Sequence, residues 1–444
     1  MLTAAASSGI AARAAAPSND YFWDNPPAQW GLLQVGAPAA WTVSTGAGMT
    51  VGVVDSGIEA NHEDLAGKVV SGVDCVTSNG NPAACGPGGM TDVIGHGTHV
   101  AGIIGAITNN GLGVASMAPD VHLLSAQAVD STGTGSDANV GAAIRWVVDH
   151  GASVVNLSLG AEGTARVAFG PAFSSAVEYA WAHGAIPVVA AGNSAQASPN
   201  FGSLHMIVVA ATTPAGQLAS YSNHVDSAMW GVAAPGGASD GNPYDDVVST
   251  YKGDAYATIA GTSMAAAHVS GAVALLRAKG LSRDDAVQQL LGTAVGCAGC
   301  GRGRIDAAAA VGAGPAPAPA PPPGGGGAGA APPGSATVVG PAPKARPVSN
   351  APAKPAPRRA ATPPTTVAVT QPPTTLAPTT LPPSGPVEAA LGNASPGQVQ
   401  VNNAPPSGRG PSSRLFPIGL ALAGVVGVGA ALAFGAWRGR PRGT

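Results

Sequence analysis

Along the first 311 residues, near-continuous apolar runs alternate with longer segments in which apolar residues recur at helical spacing. The runs MTVGVVDS, VHLLSAQAV, GASVVNLSLG, AIPVVAAGN and MIVVAAT are short, Val-rich and bounded by turn residues, which predicts strands buried on both faces. Between them, SDANVGAAIRWVVDHG and FSSAVEYAWAHG predict helices with one apolar face. This βαβ rhythm predicts an α/β fold: three layers, with helices on both faces of a mainly parallel central sheet. Sites in such sheets gather beyond the carboxyl ends of the strands, so polar residues there are the first candidates for chemistry.

Beyond residue 311 the pattern changes twice. Residues 312–414 are mostly Ala, Pro, Gly, Ser and Thr, with too little side chain to offset ordering entropy, which predicts a disordered linker of extended, polyproline character. Residues 415–437, LFPIGLALAGVVGVGAALAFGAW, are uncharged and long enough to cross a hydrocarbon core of ~30 Å, which predicts one transmembrane helix. Arg438, Arg440 and Arg442 in the basic tail, residues 438–444, then place the C-terminus in the cytoplasm and the folded domain, residues 19–311, outside the membrane. Residues 1–18 lack a basic n-region and read as a truncated or weak export signal, with no room for a folding-assisting prodomain before residue 19.

The chain has 444 residues, but its 64 Gly and 41 Pro are unevenly spread, so the foldable part is shorter than the length suggests. A net charge of −3 with 10% charged residues gives no basic footprint and argues against nucleic-acid partners. The four cysteines fall into close pairs, Cys75 with Cys85 and Cys297 with Cys300, which suits two local disulfides in an oxidising compartment. Other connectivities, reduced core cysteines and a half zinc site at Cys297–Cys300 stay open at this level.

Three segments carry chemistry. VGVVDSG ends a buried strand on Asp55; GHGTHVAG puts His96 at the start of a Gly-rich helix; GTSMA puts Ser263 at a helix N-terminus, where backbone N–H groups favour developing negative charge. With VNLSLG and AAGNS, these blocks resemble the signature blocks of the subtilisin family of serine proteases over roughly residues 19–311, in that family's order Asp, His, Ser.

That resemblance implies a serine endopeptidase acting on peptide or protein substrates through an acyl-enzyme. Its catalytic triad would be Asp55, His96 and Ser263, with Asn193 as oxyanion donor, while His99 and His268 would be helix residues. Ser158, Leu159 and Gly160 would form one backbone rail for an extended substrate, and Gly133, Thr134 and Gly135 the opposite rail. Ala190, Ala191 and Gly192 would wall an apolar pocket that offers no charge to basic or acidic side chains. A thermitase-like Ca²⁺ site would draw on Asp20, Asp64 and Asn110 with the carbonyls of Ile107, Leu112 and Val114. Ala267 stands where the family usually has Pro, a change that should loosen one turn behind Ser263 without removing a catalytic group. The layout of domain, Pro-rich linker, single span and basic tail resembles the mycosins of type VII secretion, for which a secretion complex would be a partner, but the resemblance is one of layout, since GTSMAAAHVSG around Ser263 fits the general family better. A membrane-anchored scaffold or pseudoprotease in such a complex is the alternative function.

Overall fold

A computed structural model describes residues 18–25, 27–160, 164–197, 201–314 and 332–341. In chain order the elements are α1 (Tyr21–Asp24), α2 (Trp30–Gln34), α3 (Ala37–Trp41), β1 (Thr50–Asp55), β2 (Val69–Asp74), β3 (Gly86–Pro87), α4 (His96–Gly105) and β4 (His122–Gln127). They continue with α5 (Asp137–Asp149), β5 (Val154–Leu157), α6 (Pro171–Ala182), β6 (Ile186–Ala190), β7 (Ile207–Thr212) and β8 (Gly231–Pro235). The remainder are β9 (Val247–Tyr251), β10 (Ala255–Ile259), α7 (Thr262–Ala278), α8 (Arg283–Gly292), α9 (Ala307–Val311) and β11 (Thr337–Gly340).

The main sheet runs in the order β3-β2-β4-β1-β5-β6-β7-β8, and every neighbouring pair is parallel except β2 with β3. Successive side chains point opposite ways, so the helices on the two faces bury both sides of β1 and β4–β8, whereas β2 and β3 at the edge stay partly exposed. Val53, Val154, Val188 and Ile207 pack on the face covered by α4 and α7; Val54, Val155, Val189 and Val208 pack on the face covered by α5 and α6. This explains why the strands read as unbroken apolar runs rather than as alternation. Ser136 caps α5 by accepting from the Asn139 N–H, and α6 begins at Pro171, slightly ahead of its apolar pattern.

The strand order places β4 and β5 on opposite sides of β1, so the crossover direction reverses beside β1, and Asp55 stands at its carboxyl end. Helix α4 reaches that point because its glycines allow backbone contact. A Cβ on Gly97 would lie 2.1 Å from the Gly57 carbonyl oxygen, and one on Gly102 would lie 2.3 Å from Thr250 Oγ1.

Cys75 is bonded to Cys85 and Cys297 to Cys300, which resolves the connectivity and leaves no half zinc site. The predicted spacer holds one departure. Thr337–Gly340 forms an antiparallel strand on β10, making the three-stranded sheet β11-β10-β9. Composition had averaged away a short β-branched Thr-Val-Val run that meets the open edge of a hairpin. The rest of the spacer beyond residue 341, the expected span 415–437, the tail 438–444 and residues 1–17 lie outside the described residues. Among the described residues no helix is long and apolar enough to cross a membrane.

Candidate active site

Asp55 is fully buried, and its Oδ1 accepts from the Ser56 N–H at 2.7 Å and from His96 Nδ1 at 2.8 Å. A carboxylate only accepts, so Nδ1 carries the proton and Nε2 is left as an acceptor. Burial disfavours the charged form of His96, but the charge and hydrogen bond of Asp55, with the charge of Asp92, outweigh it and hold the imidazole above its ordinary value. Asp92 fixes the approach of α4: its Oδ1 accepts from Ser56 Oγ and from the Ile94 and Gly95 N–H groups, and its Oδ2 from the Thr98 N–H and hydroxyl. Sequence reasoning passed over Asp92, although an acid just ahead of a helix is a readable cap signal.

Helix α7 begins on Gly261 and carries Ser263 in its first turn, where backbone N–H groups lack intrahelical acceptors. Asn193 follows β6 and is oriented by Thr262, whose N–H and hydroxyl donate to its Oδ1 at 3.0 and 2.9 Å. That leaves Nδ2 without an acceptor among the described residues, and a Cβ on Gly261 would lie 3.6 Å from it. His96, Asn193 and Ser263 line one cavity together with Ser158, Leu159 and Gly160. The Ser263 hydroxyl donates to the Ser158 carbonyl at 3.4 Å, a long bond that rotation about one side-chain torsion exchanges for another acceptor.

His99 and His268 play structural parts. His99 Nε2 donates to the Val247 and Ala257 carbonyls, tying α4 to the β9–β10 hairpin, and burial pushes its pKa down to about 3. His268 Nδ1 bonds the Met264 carbonyl within α7, and burial lowers it to about 4. Ala267, buried in the same helix, leaves the hydrogen bonds around Ser263 in place.

The subtilase family model matches residues 46–314. The chain belongs to the subtilase family. It is 36% identical to thermitase of Thermoactinomyces vulgaris over 66% of this chain and 97% of that protein. It is likewise 36% identical to subtilisin Savinase of Lederbergia lenta over 56% of this chain and 84% of that protein. Among solved structures, a protease from Pseudoalteromonas arctica superposes with a TM-score of 0.59 at 30% identity, covering 67% of this chain and 99% of that one. This subtilase is a serine endopeptidase.

A cleft of about 710 Å³ adjoins the cavity of Ser263 and is walled by Ala190, Ala191, Gly192 and Asn193. Its apolar lining is extended by Phe169, Phe173 and Phe201, with the first two rings stacked at 4.0 Å, and no charged side chain lines it among the described residues. The three phenylalanines escaped sequence reasoning because they lie outside the signature blocks. The two expected rails do come together, yet an extended segment of the same chain, Thr164–Val167, lies between them. Arg166 donates to the Gly133 carbonyl at 2.6 Å and accepts from the Gly135 N–H at 2.9 Å. On the other side Gly160 donates to the Ala165 carbonyl, and Val167 to the Gly160 carbonyl. Thr134 and Gly160 both bridge to Arg166 in parallel register.

The expected calcium ligands also converge. Asp20 accepts from the N–H groups of Asn109, Asn110 and Gly111, while Asp64 accepts from Asn110 Nδ2 at 2.7 Å and the Val114 N–H at 2.8 Å. The Leu112 carbonyl accepts from the Tyr21 N–H and keeps a second lone pair, and Ile107 donates to the Asp64 carbonyl. Burial, together with the charges of Asp20 and Glu63, raises Asp64 to about 7 against the hydrogen bonds it accepts, and no lysine or arginine pairs with it among the described residues. Two buried carboxylates with neutral oxygens and no counter-charge fit a hard divalent cation, although no group of three or more acidic, His or Cys side chains is present among the described residues.

Proposed function

We propose that this subtilase hydrolyses peptide bonds through an acyl-enzyme on Ser263, with His96 as general base, Asp55 as its orienting partner and Asn193 as oxyanion donor. The observation that carries this reading is the 2.8 Å bond from His96 Nδ1 to Asp55 Oδ1, which leaves Nε2 to accept a proton in the cavity that Ser263 and Asn193 line. In attack, Ser263 Oγ turns from the Ser158 carbonyl, gives its proton to Nε2 and bonds the scissile carbon. The resulting imidazolium is stabilised by Asp55, and the oxyanion takes hydrogen bonds from Asn193 Nδ2 and the Ser263 N–H. His96 then protonates the leaving amine, and water repeats the sequence on the ester. Substrate is an extended peptide carrying a bulky apolar side chain on the acyl side of the scissile bond, seated in the uncharged, Phe-lined cleft.

Ca²⁺ is the cation proposed for Asp20, Asp64 and Asn110 with the Ile107, Leu112 and Val114 carbonyls. It would neutralise the buried pair and tie the N-terminal segment to the 107–114 loop, away from the chemistry. Asn110 would turn its amide over to present Oδ1. The apolar stretch 415–437 and the arginines after it support a single-pass membrane anchor with the peptidase outside the cytoplasm, and the mycosin-like layout supports association with a secretion complex.

Fluorophosphonate labelling of the full chain, with mapping of the modified peptide, tests the chemistry. Labelling at Ser263 that disappears in Ser263→Ala is expected; a folded chain that never labels would favour the scaffold reading.

A further inference from the structure

Two segments of this chain meet over the nucleophile. Thr164–Val167 fills the gap between the rails, and Pro332–Pro341 runs along β10 to bond both Ala260 and Thr164. The Gly334 N–H donates to the Ala260 carbonyl at 2.7 Å, and the Gly334 carbonyl accepts from Thr164 Oγ1 at 2.7 Å. Downstream, Thr337 and Val338 pair with Thr258 and Ala257 of β10. Thr164, Ala165 and Gly334 line the cavity of His96, Asn193 and Ser263, whose free volume is about 10 Å³, room for roughly one water molecule. The close approach depends on glycine: Gly334 has φ +89°, and a Cβ there would lie 2.7 Å from Thr164 Oγ1.

We propose that the outer edge of β10, with the Ala260 carbonyl, is a strand-docking surface beside the nucleophile whose occupant is this chain's own Pro332–Pro341, and that this occupancy holds the peptidase latent. The proposal rests on the assignment of Ser263 as nucleophile. A peptide substrate must form main-chain bonds with the rails, and the groups it would use, the Gly133 carbonyl, the Gly135 N–H and both main-chain groups of Gly160, are bonded to residues 165–167. Releasing that strand requires breaking the Thr164–Gly334 bond, so the two segments open together. The docked segment is held by main-chain pairing and by the half-buried Ala336 and Val339 against the core, while Val338 is 56% exposed and no side chain of the segment is fully buried. An attachment of that kind is displaceable, unlike a core strand.

Two substitutions in the full chain separate the parts. Val338→Pro removes a backbone donor from the docked strand without disturbing the core, and Thr164→Val removes the hydroxyl that joins the segments. Fluorophosphonate labelling of Ser263 should accelerate about tenfold or more in Val338→Pro and about three- to tenfold in Thr164→Val, the latter being the worth of one ordinary hydrogen bond. Amide exchange at Arg166 and Val167 should rise in both. A synthetic peptide of residues 332–341, added to Val338→Pro, should slow labelling again. Labelling and exchange that both stay at the wild-type level in the two variants would overturn the proposal. Exchange that rises while no form of the chain ever labels removes the nucleophile assignment, and latency with it, but upholds the docking.

Discussion

Asn193 offers a test in which one atom can be separated from another on the same side chain. Its Oδ1 is the acceptor for the Thr262 N–H and hydroxyl, while its Nδ2 faces the reaction space. Asn193→Asp keeps the acceptor and deletes the donor; Asn193→Leu deletes both. Removing such a donor lowers kcat by about 10²–10³ in subtilisin itself, or about 2.7–4 kcal/mol of transition-state stabilisation. Asn193→Asp should lose at least that much, because its charge also opposes the oxyanion. Asn193→Leu leaves two donors of the buried Thr262 without partners and should in addition cost about 1–3 kcal/mol of folding stability for each. Because the oxyanion exists only in the transition state, KM should change by no more than about threefold in either variant. The assay is steady-state hydrolysis of one peptide by wild type and both variants, with thermal melts alongside. Retention of kcat by Asn193→Asp, or a loss that falls in KM, would refute the reasoning.

The pH dependence follows from His96. As a general base it works neutral, and its pKa is held above the ordinary 6.5, so kcat/KM should rise with pH through a midpoint above 6.5; a midpoint below that value would contradict the Asp55–His96 geometry. In stability the sign is opposite: the raised imidazole contributes fully below its unfolded value, and that contribution fades as pH climbs through the folded one. Phe201→Ala should lower kcat/KM about ten- to a hundredfold for peptides with Phe before the scissile bond and far less for those with Ala there, and equal losses would dissociate the cleft from specificity. Chelator in excess should lower Tm by about 5–10 °C if calcium bridges Asp20 and Asp64, since saturating a site at a hundred times Kd adds about 2.7 kcal/mol; an unchanged melt would remove the ion.

The buried strands and main helices were legible because their apolar periods are local properties of the chain. The residues of the signature blocks were legible as well, and Asp55, His96, Asn193 and Ser263 all fall within those blocks. Asp92 and the three phenylalanines of the cleft were not, since their roles come from contacts with residues remote in sequence or outside any block. The cysteine spacing permitted the observed pairs without excluding others, and only proximity in the fold selected Cys75–Cys85 and Cys297–Cys300.

Sequence alone determined the layered α/β architecture and the identity of the groups available for chemistry, because both depend on side-chain type and short-range spacing. Tertiary structure decided what those groups face. The bridging of Thr164–Val167 between the rails and the docking of Thr337–Gly340 on β10 are made by N–H and C=O groups that nearly every residue possesses. Such pairing leaves almost no mark on side-chain pattern, so a Pro- and Ala-rich stretch could read as a spacer and still supply the strand that reaches the nucleophile.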